Sequence, residues 1–151
     1  MQEVSREAKL TLQYINQTDQ HIFLTGKAGT GKTTLLREII ETTHKKTVVV
    51  APTGIAALNA RGMTIHSFFL LPFASFLPTR EHIDVPQRRR MENQTSLLRH
   101  FKMSAEKRAV FRNMELLIID EVSMLRADVL DAMDFMLRSI RKNKEAFGGI
   151  Q

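Results

Sequence analysis

The chain has no cysteine among its 151 residues. Disulfides and Cys-ligated zinc sites are therefore excluded, which agrees with a reducing compartment. A membrane-spanning run is missing as well: no apolar stretch approaches the ~20 residues that cross a bilayer. The opening residues, MQEVSREAKL, have neither the basic start nor the apolar centre of a secretory signal. Together these absences point to the cytoplasm and away from a membrane. There are no internal repeats or low-complexity segments, and a composition of 43% hydrophobic and 25% charged residues suits one soluble globular domain with a single core. Acidic residues are in deficit, 16 against 22 Lys and Arg. The resulting charge of +6 favours a polyanionic partner.

What is present is organised around HIFLTGKAGTGKTT, His21 to Thr34. A short apolar strand, Ile22-Phe23-Leu24, runs into a glycine loop and out into a helix. Gly26, four further residues and Gly31-Lys32-Thr33 match the phosphate-binding P-loop, whose backbone N–H groups curl around a nucleotide's phosphates. Gly26, Gly29 and Gly31 allow positive φ and close approach of the backbone to oxygen. Lys32 can reach the β- and γ-phosphates, Thr33 offers a hydroxyl to Mg²⁺, and the helix aims its positive end at the anion. The candidate nucleotide site is Gly26, Lys27, Ala28, Gly29, Thr30, Gly31, Lys32, Thr33 and Thr34.

Residues 3 to 17 place Val4, Ala8, Leu12 and Ile15 on one stripe behind a possible Ser5 cap, which predicts a leading amphipathic helix within residues 1–20. The helix after the loop is expected over Thr33 to Thr42, burying Leu35, Leu36, Ile39 and Ile40. TVVVA, Thr47 to Ala51, reads as a buried strand that Pro52 ends. A short helix over Ile55 to Ala60, closed at Gly62, completes this part of the 21–71 region. Four phenylalanines follow within nine residues, Phe68, Phe69, Phe73 and Phe76. Such a set either packs in a core or stacks on bases. Residues 72–103, with Pro78, Pro86 and the run Arg88-Arg89-Arg90, predict an irregular basic loop or insert. In 104–151, Ser104 caps a helix running to about Phe111, and Leu116 to Ile119 form a third apolar strand. A final helix spans Arg126 to Lys142, with Val129, Met133, Leu137 and Ile140 on one face. Strands alternating with helices give an α/β class with a parallel sheet.

The third strand delivers Asp120-Glu121 at its C-terminal end, the edge where ligands of α/β sheets bind. Asp120 is suited to hold Mg²⁺, and Glu121 to orient and deprotonate the water that attacks the γ-phosphate. Kinases and small GTPases generally lack that second carboxylate, so the pair argues for ATP hydrolysis. The candidate catalytic residues are Lys32 and Glu121, and the candidate metal ligands are Thr33 and Asp120.

LTGKAGTGKTTLL, APTGIAALNARGMTIHSFF and LLIIDEVSMLRADVLDAMD, in this order, resemble the first motor lobe of the Pif-type (petite integration frequency) helicases, in the superfamily 1 group that includes RecD. The resemblance implies a RecA-like P-loop fold, ATP with Mg²⁺, and 5′-to-3′ translocation along single-stranded DNA, with roles in DNA repair, replication and telomere maintenance. It also implies that Thr53 and Gly54 grip the DNA backbone and that His66, Ser67 and Phe68, of the TIHSF signature, lie beside them. Two departures accompany it. Ala8 and Lys9 stand where such helicases carry an adenine-reading glutamine, and Gln13 is too close to the loop to replace it. The motif that would follow Gln151, and a second lobe with its arginine finger, lie beyond the sequence. This chain is therefore expected to bind nucleotide at best and not to unwind DNA alone. Its sheet is expected to be incomplete, with Gly149 to Gln151 either beginning the next strand weakly or leaving the gap to repacking or to another chain. The other readings are a P-loop ATPase without nucleic acid and a non-enzymatic binding module.

Overall fold

A computed structural model describes residues 5–82 and 90–151. Val4 of the leading stripe, and Pro86, Arg88 and Arg89 of the basic insert, lie outside the described residues.

The leading helix α1 spans Arg6–Gln17, and Ser5 Oγ caps it by accepting the Ala8 N–H at 3.2 Å. Helix α2, Lys32–Thr42, follows the glycine loop. A short connection returns the chain to β1, Thr47–Ala51. Thr53 caps α3, Gly54–Asn59, through the Ala56 N–H, and Gly62 then donates to the Ala57 carbonyl at 2.8 Å. At Gly62 a Cβ would sit 2.4 Å from the Val49 oxygen, so the chain can turn back along β1 only without a side chain there. Strand β2, Met63–Thr64, and helix α4, Ile65–Phe69, come next.

The sheet has the order β2-β1-β5, with β5 at Leu116–Ile119, and both pairings are parallel. Its strands alternate faces as the pleat requires. Leu116 and Ile118 pack with Ile15, Leu35 and Ile39 of α1 and α2. Leu117, Ile119, Val48 and Val50 face the opposite way, into the main core built with α4, α6 (Ala105–Asn113) and α7 (Ala127–Arg141). The result is a three-layer α/β/α arrangement. Helix α7 buries Val129, Ala132, Met133, Met136, Leu137 and Ile140, the face its 3.6-residue period predicts.

Three expectations need correction. Ile22-Phe23-Leu24 is not a strand: it makes no ladder bonds, and Phe23 is 76% exposed. An apolar, extended segment becomes a strand only where a neighbour offers N–H and C=O groups in register. The ladder beyond β5 begins with Gln151, which donates to Glu115 O at 3.2 Å and accepts the Leu117 N–H at 2.9 Å. That single parallel bridge is the weak start of the next strand that was expected, and the Ile22 segment does not pair with it. Ile40 is not buried but 37% exposed, since Leu36 and Ile39 already fill the face that α2 turns inward. The described parts of the insert, 72–82 and 90–103, are also more ordered than their sequence suggests. Strands β3, Ser75–Leu77, and β4, Met91–Asn93, pair in parallel, and Asn93 and Ser96 form a reciprocal capping box on α5, Gln94–Leu97.

Candidate functional site

Helix α2 has 11 residues and so is about 16 Å long, the length of a five-residue strand. Its last residue returns to the start of β1 through 43–46, so the helix runs antiparallel to the strands. The beginning of α2 therefore lies at the same sheet edge as the C-terminal ends of β1 and β5. Lys32, Pro52-Thr53 and Asp120-Glu121 share that edge, where ligands bind in this architecture.

The glycine loop has the geometry of an anion cradle. Gly29 and Gly31 have φ of 77° and 89°, and a Cβ at Gly26 would lie 2.9 Å from Thr30 Oγ1. Gly31 is the N-cap of α2 and supplies no side-chain bond, so the first helical N–H groups are open to a ligand. Thr30 Oγ1 donates to Lys27 O at 2.8 Å and braces the loop. Lys32 Nζ turns back over it and donates to the carbonyls of Gly26 at 2.6 Å and Lys27 at 2.9 Å. Thr33 and Thr34 are exposed at the helix start.

At the end of β5 the Asp120 N–H still bonds to Val50 O, at 2.9 Å, so Asp120 is held in sheet register. Glu121 then adopts φ 51° and ψ 45°, a left-handed conformation uncommon for a residue with a side chain, and its N–H is taken by Asp120 Oδ1 at 2.9 Å. This turn breaks the strand and leaves Glu121 exposed. Among the described residues no group of three His, Asp or Glu side chains could hold a metal by itself. One carboxylate and one hydroxyl, completed by phosphate oxygens and water, is nonetheless the donor set that suits Mg²⁺. The loop geometry and these oxygen donors fit a magnesium nucleotide.

The motif residues expected at DNA divide. Of them, His66 lines one open cleft of about 810 Å³ at this edge, together with Pro52, Phe73, Ser75, Met124 and Arg126. Thr53 and Gly54 adjoin it at the start of α3, the Thr53 hydroxyl serving as the cap. Ser67 Oγ accepts the Thr64 hydroxyl at 2.9 Å beside His66. Phe68 does not belong to this surface. It is 4% exposed, its ring lies 4.8 Å from that of Phe111, and Lys107 Nζ sits 4.1 Å from its centroid. With its faces covered it cannot stack on a base. Phe69 and Phe76 are buried with it, whereas Phe73 is 81% exposed and stacks on His66, centroids 4.7 Å apart and planes 11° from parallel. Phe73, outside the Thr53-Gly54 and TIHSF motifs, is the ring of that set which turns outward. The signal was the Pro72 before it, which follows the left-handed Leu70 that ends α4 and turns the chain off the core.

Burial, and then the charge of Arg126, hold the His66 imidazole below its ordinary pKa, which favours its neutral form. Arg126 is itself tied down. Its Nε donates to Asp128 Oδ1 at 2.9 Å and its Nη2 to Asp128 Oδ2 at 2.5 Å and to Ser75 Oγ at 3.1 Å. Asp128 Oδ2 also accepts the Phe76 N–H, at 3.0 Å. Burial works against the Asp128 charge, but the Arg126 and Phe76 bonds outweigh it and hold the carboxyl below its ordinary range.

Residues 4–151 match the family described as PIF1-like helicase. The chain belongs to that family. The ATP-dependent DNA helicase PIF1 of Danio rerio is 36% identical over 151 residues, 99% of this chain and 21% of the relative. The PIF1 helicase of Saccharomyces cerevisiae strain YJM789 is also 36% identical, over 89% of this chain and 14% of its own length. This PIF1-like chain thus spans about a seventh to a fifth of those curated relatives. A crystal structure of Bacteroides Pif1 bound to ssDNA is 39% identical with a TM-score of 0.80, covering 100% of this chain and 31% of that one. The Bacteroides sp. Pif1 complex with ADP-AlF4 matches at 39% identity and a TM-score of 0.80, covering 97% and 30%. The PIF1-like fold, a RecA-like P-loop sheet with flanking helices, is shared with these structures.

Proposed function

We propose that this chain is the nucleotide-binding part of an ATP-dependent DNA helicase that moves 5′ to 3′ along single-stranded DNA. The observation that carries the reading is the glycine loop, with its positive-φ glycines, open helix start and Lys32, set at the same sheet edge as Asp120-Glu121. Related helicases are named for ATP-dependent action on DNA, and Bacteroides Pif1 has been seen with ssDNA and with ADP-AlF4.

In this reading Gly26 to Thr34 wrap the phosphates with backbone N–H groups. Lys32 leaves the Gly26 and Lys27 carbonyls to meet the β- and γ-phosphates. Thr33 and Asp120 would hold Mg²⁺, which would supply neutralisation of charge on the phosphates. Glu121 orients the attacking water and accepts its proton. Thr53, Gly54, His66 and Ser67 face the strand of DNA.

Binding of a fluorescent ATP analogue with Mg²⁺ tests the site. Lys32→Ala removes a charged donor worth ~1.5–3 kcal/mol, so affinity falls about 10- to 100-fold. Equal binding by the variant overturns the nucleotide assignment. Nucleotide binding without any affinity for single-stranded DNA leaves a P-loop ATPase that does not act on nucleic acid.

A further inference from the structure

The most exposed large aromatic ring of the described residues is held in one orientation beside the nucleotide edge. Phe73 leaves 81% of its surface in water, a cost that core packing avoids for Phe68, Phe69 and Phe76 in the same stretch. Its one stacked partner is His66, at 4.7 Å and 11°, which leaves the opposite face open. Each ring is anchored by a different element: His66 lies in α4, while Phe73 lies just before β3. Around the pair the cleft offers Met91, Met124 and Val129 as apolar walls and Arg90 and Arg126 on the polar rim.

We propose that Phe73, backed by His66, is a stacking platform for one unpaired base of the single strand. The proposal rests on the helicase reading above and extends it to a residue outside the Thr53-Gly54 and TIHSF motifs. The chemistry favours a base over a phosphate here. Arg90 also lines the rim and suits the phosphates flanking a bound base, but beside the ring pair itself Arg126 already shares its charge with Asp128 and Ser75, and burial disfavours a charged imidazole behind Phe73. A flat π-face does not distinguish among the bases, so the platform tolerates any sequence, as a translocating protein requires. The cleft volume of about 810 Å³ lies within the range of small-ligand sites.

Binding of the 151-residue chain to a thymidine oligonucleotide and to an abasic oligonucleotide of equal length separates stacking from backbone contact. The wild type is expected to prefer the thymidine strand by about fivefold or more, the lower end of one aromatic–base stack. Phe73→Ala, at an exposed position where folding is not at stake, brings that ratio close to one. It leaves the abasic affinity and the slope of affinity against salt unchanged, because phosphate contacts set both. Phe73→Tyr restores the ratio. If Phe73→Ala keeps the wild-type ratio, or weakens both strands equally, the platform is overturned while the DNA-binding reading stands. If the wild type binds neither strand, both fall.

Discussion

The two faces of the sheet are built to different depths. Among the described residues, the α1/α2 face buries a small cluster, Ile15, Leu35, Ile39 and Leu116, and it carries the glycine loop. The α4/α6/α7 face buries a continuous core from Val50 to Ile150, and it carries the His66–Phe73 cleft. On the two proposed assignments, the contrast matches what each site demands. A phosphate cradle is made of backbone dihedrals, a helix start and one lysine, and it needs little packing beneath it. A stacking surface needs rings held at a fixed angle, and only a packed core and a pinned insert hold them. The thinner face is thus the part of the molecule expected to open first.

Paired truncations offer the sharpest way to break this comparison. Phe111 is fully buried between Phe68 and Phe69, and Phe111→Ala is expected to cost about 3–5 kcal/mol in urea unfolding. Ile39→Ala, in the small cluster, is expected near the lower limit of about 2 kcal/mol because the site can collapse. Equal costs would mean that the faces are equally packed. A smaller effect comes from the insert's tie. Asp128→Asn keeps an acceptor for the Phe76 N–H but gives up the charge shared with Arg126, and should cost about 1 kcal/mol once exposure is allowed for. The loss should appear as faster proteolysis of residues 72–82. Because the carboxyl pKa is lowered on folding, this contribution is complete above the ordinary carboxylate value of about 3.9 and disappears as pH falls through the folded value. Acid melts of the wild type and the variant should converge there. The smallest effect belongs to His66. Its lowered pKa means that stability is full above about 6.5 and declines as pH drops toward the folded value. His66→Phe keeps a ring and removes that slope, and an unchanged slope would show that other groups set it.

Legibility in the sequence followed the same division. Thr47–Ala51, Leu116–Ile119 and the inward face of α7 were readable to the residue or nearly so, because a strand buried on both faces is a continuous apolar run and a long amphipathic helix repeats its pattern several times. The glycine loop was equally plain, since its dihedrals demand glycine at Gly29 and Gly31. Ile22-Phe23-Leu24 has the composition of a strand, but pairing depends on a neighbour that local composition does not reveal. Strands β3 and β4 were hidden for the opposite reason. Ser75–Leu77 and Met91–Asn93 are three residues each, too short for a period, and they pair across the intervening residues of the insert. The phenylalanine set was seen as a set, yet which ring turned outward depended on Leu70 and Pro72 ending α4.

The Asp128 carboxylate joins two places that the chain keeps far apart in order. It takes Arg126, at the close of the turn that begins with Asp120-Glu121, and the amide of Phe76, three residues beyond Phe73. The carboxylate end of β5 and the root of the His66–Phe73 pair are therefore bolted to one another. Thermodynamic linkage makes any exchange between them reciprocal. Under the proposed function, whatever factor a nucleotide at one end applies to the grip on DNA, the DNA must return to the nucleotide, and cutting this bolt should shrink both factors together.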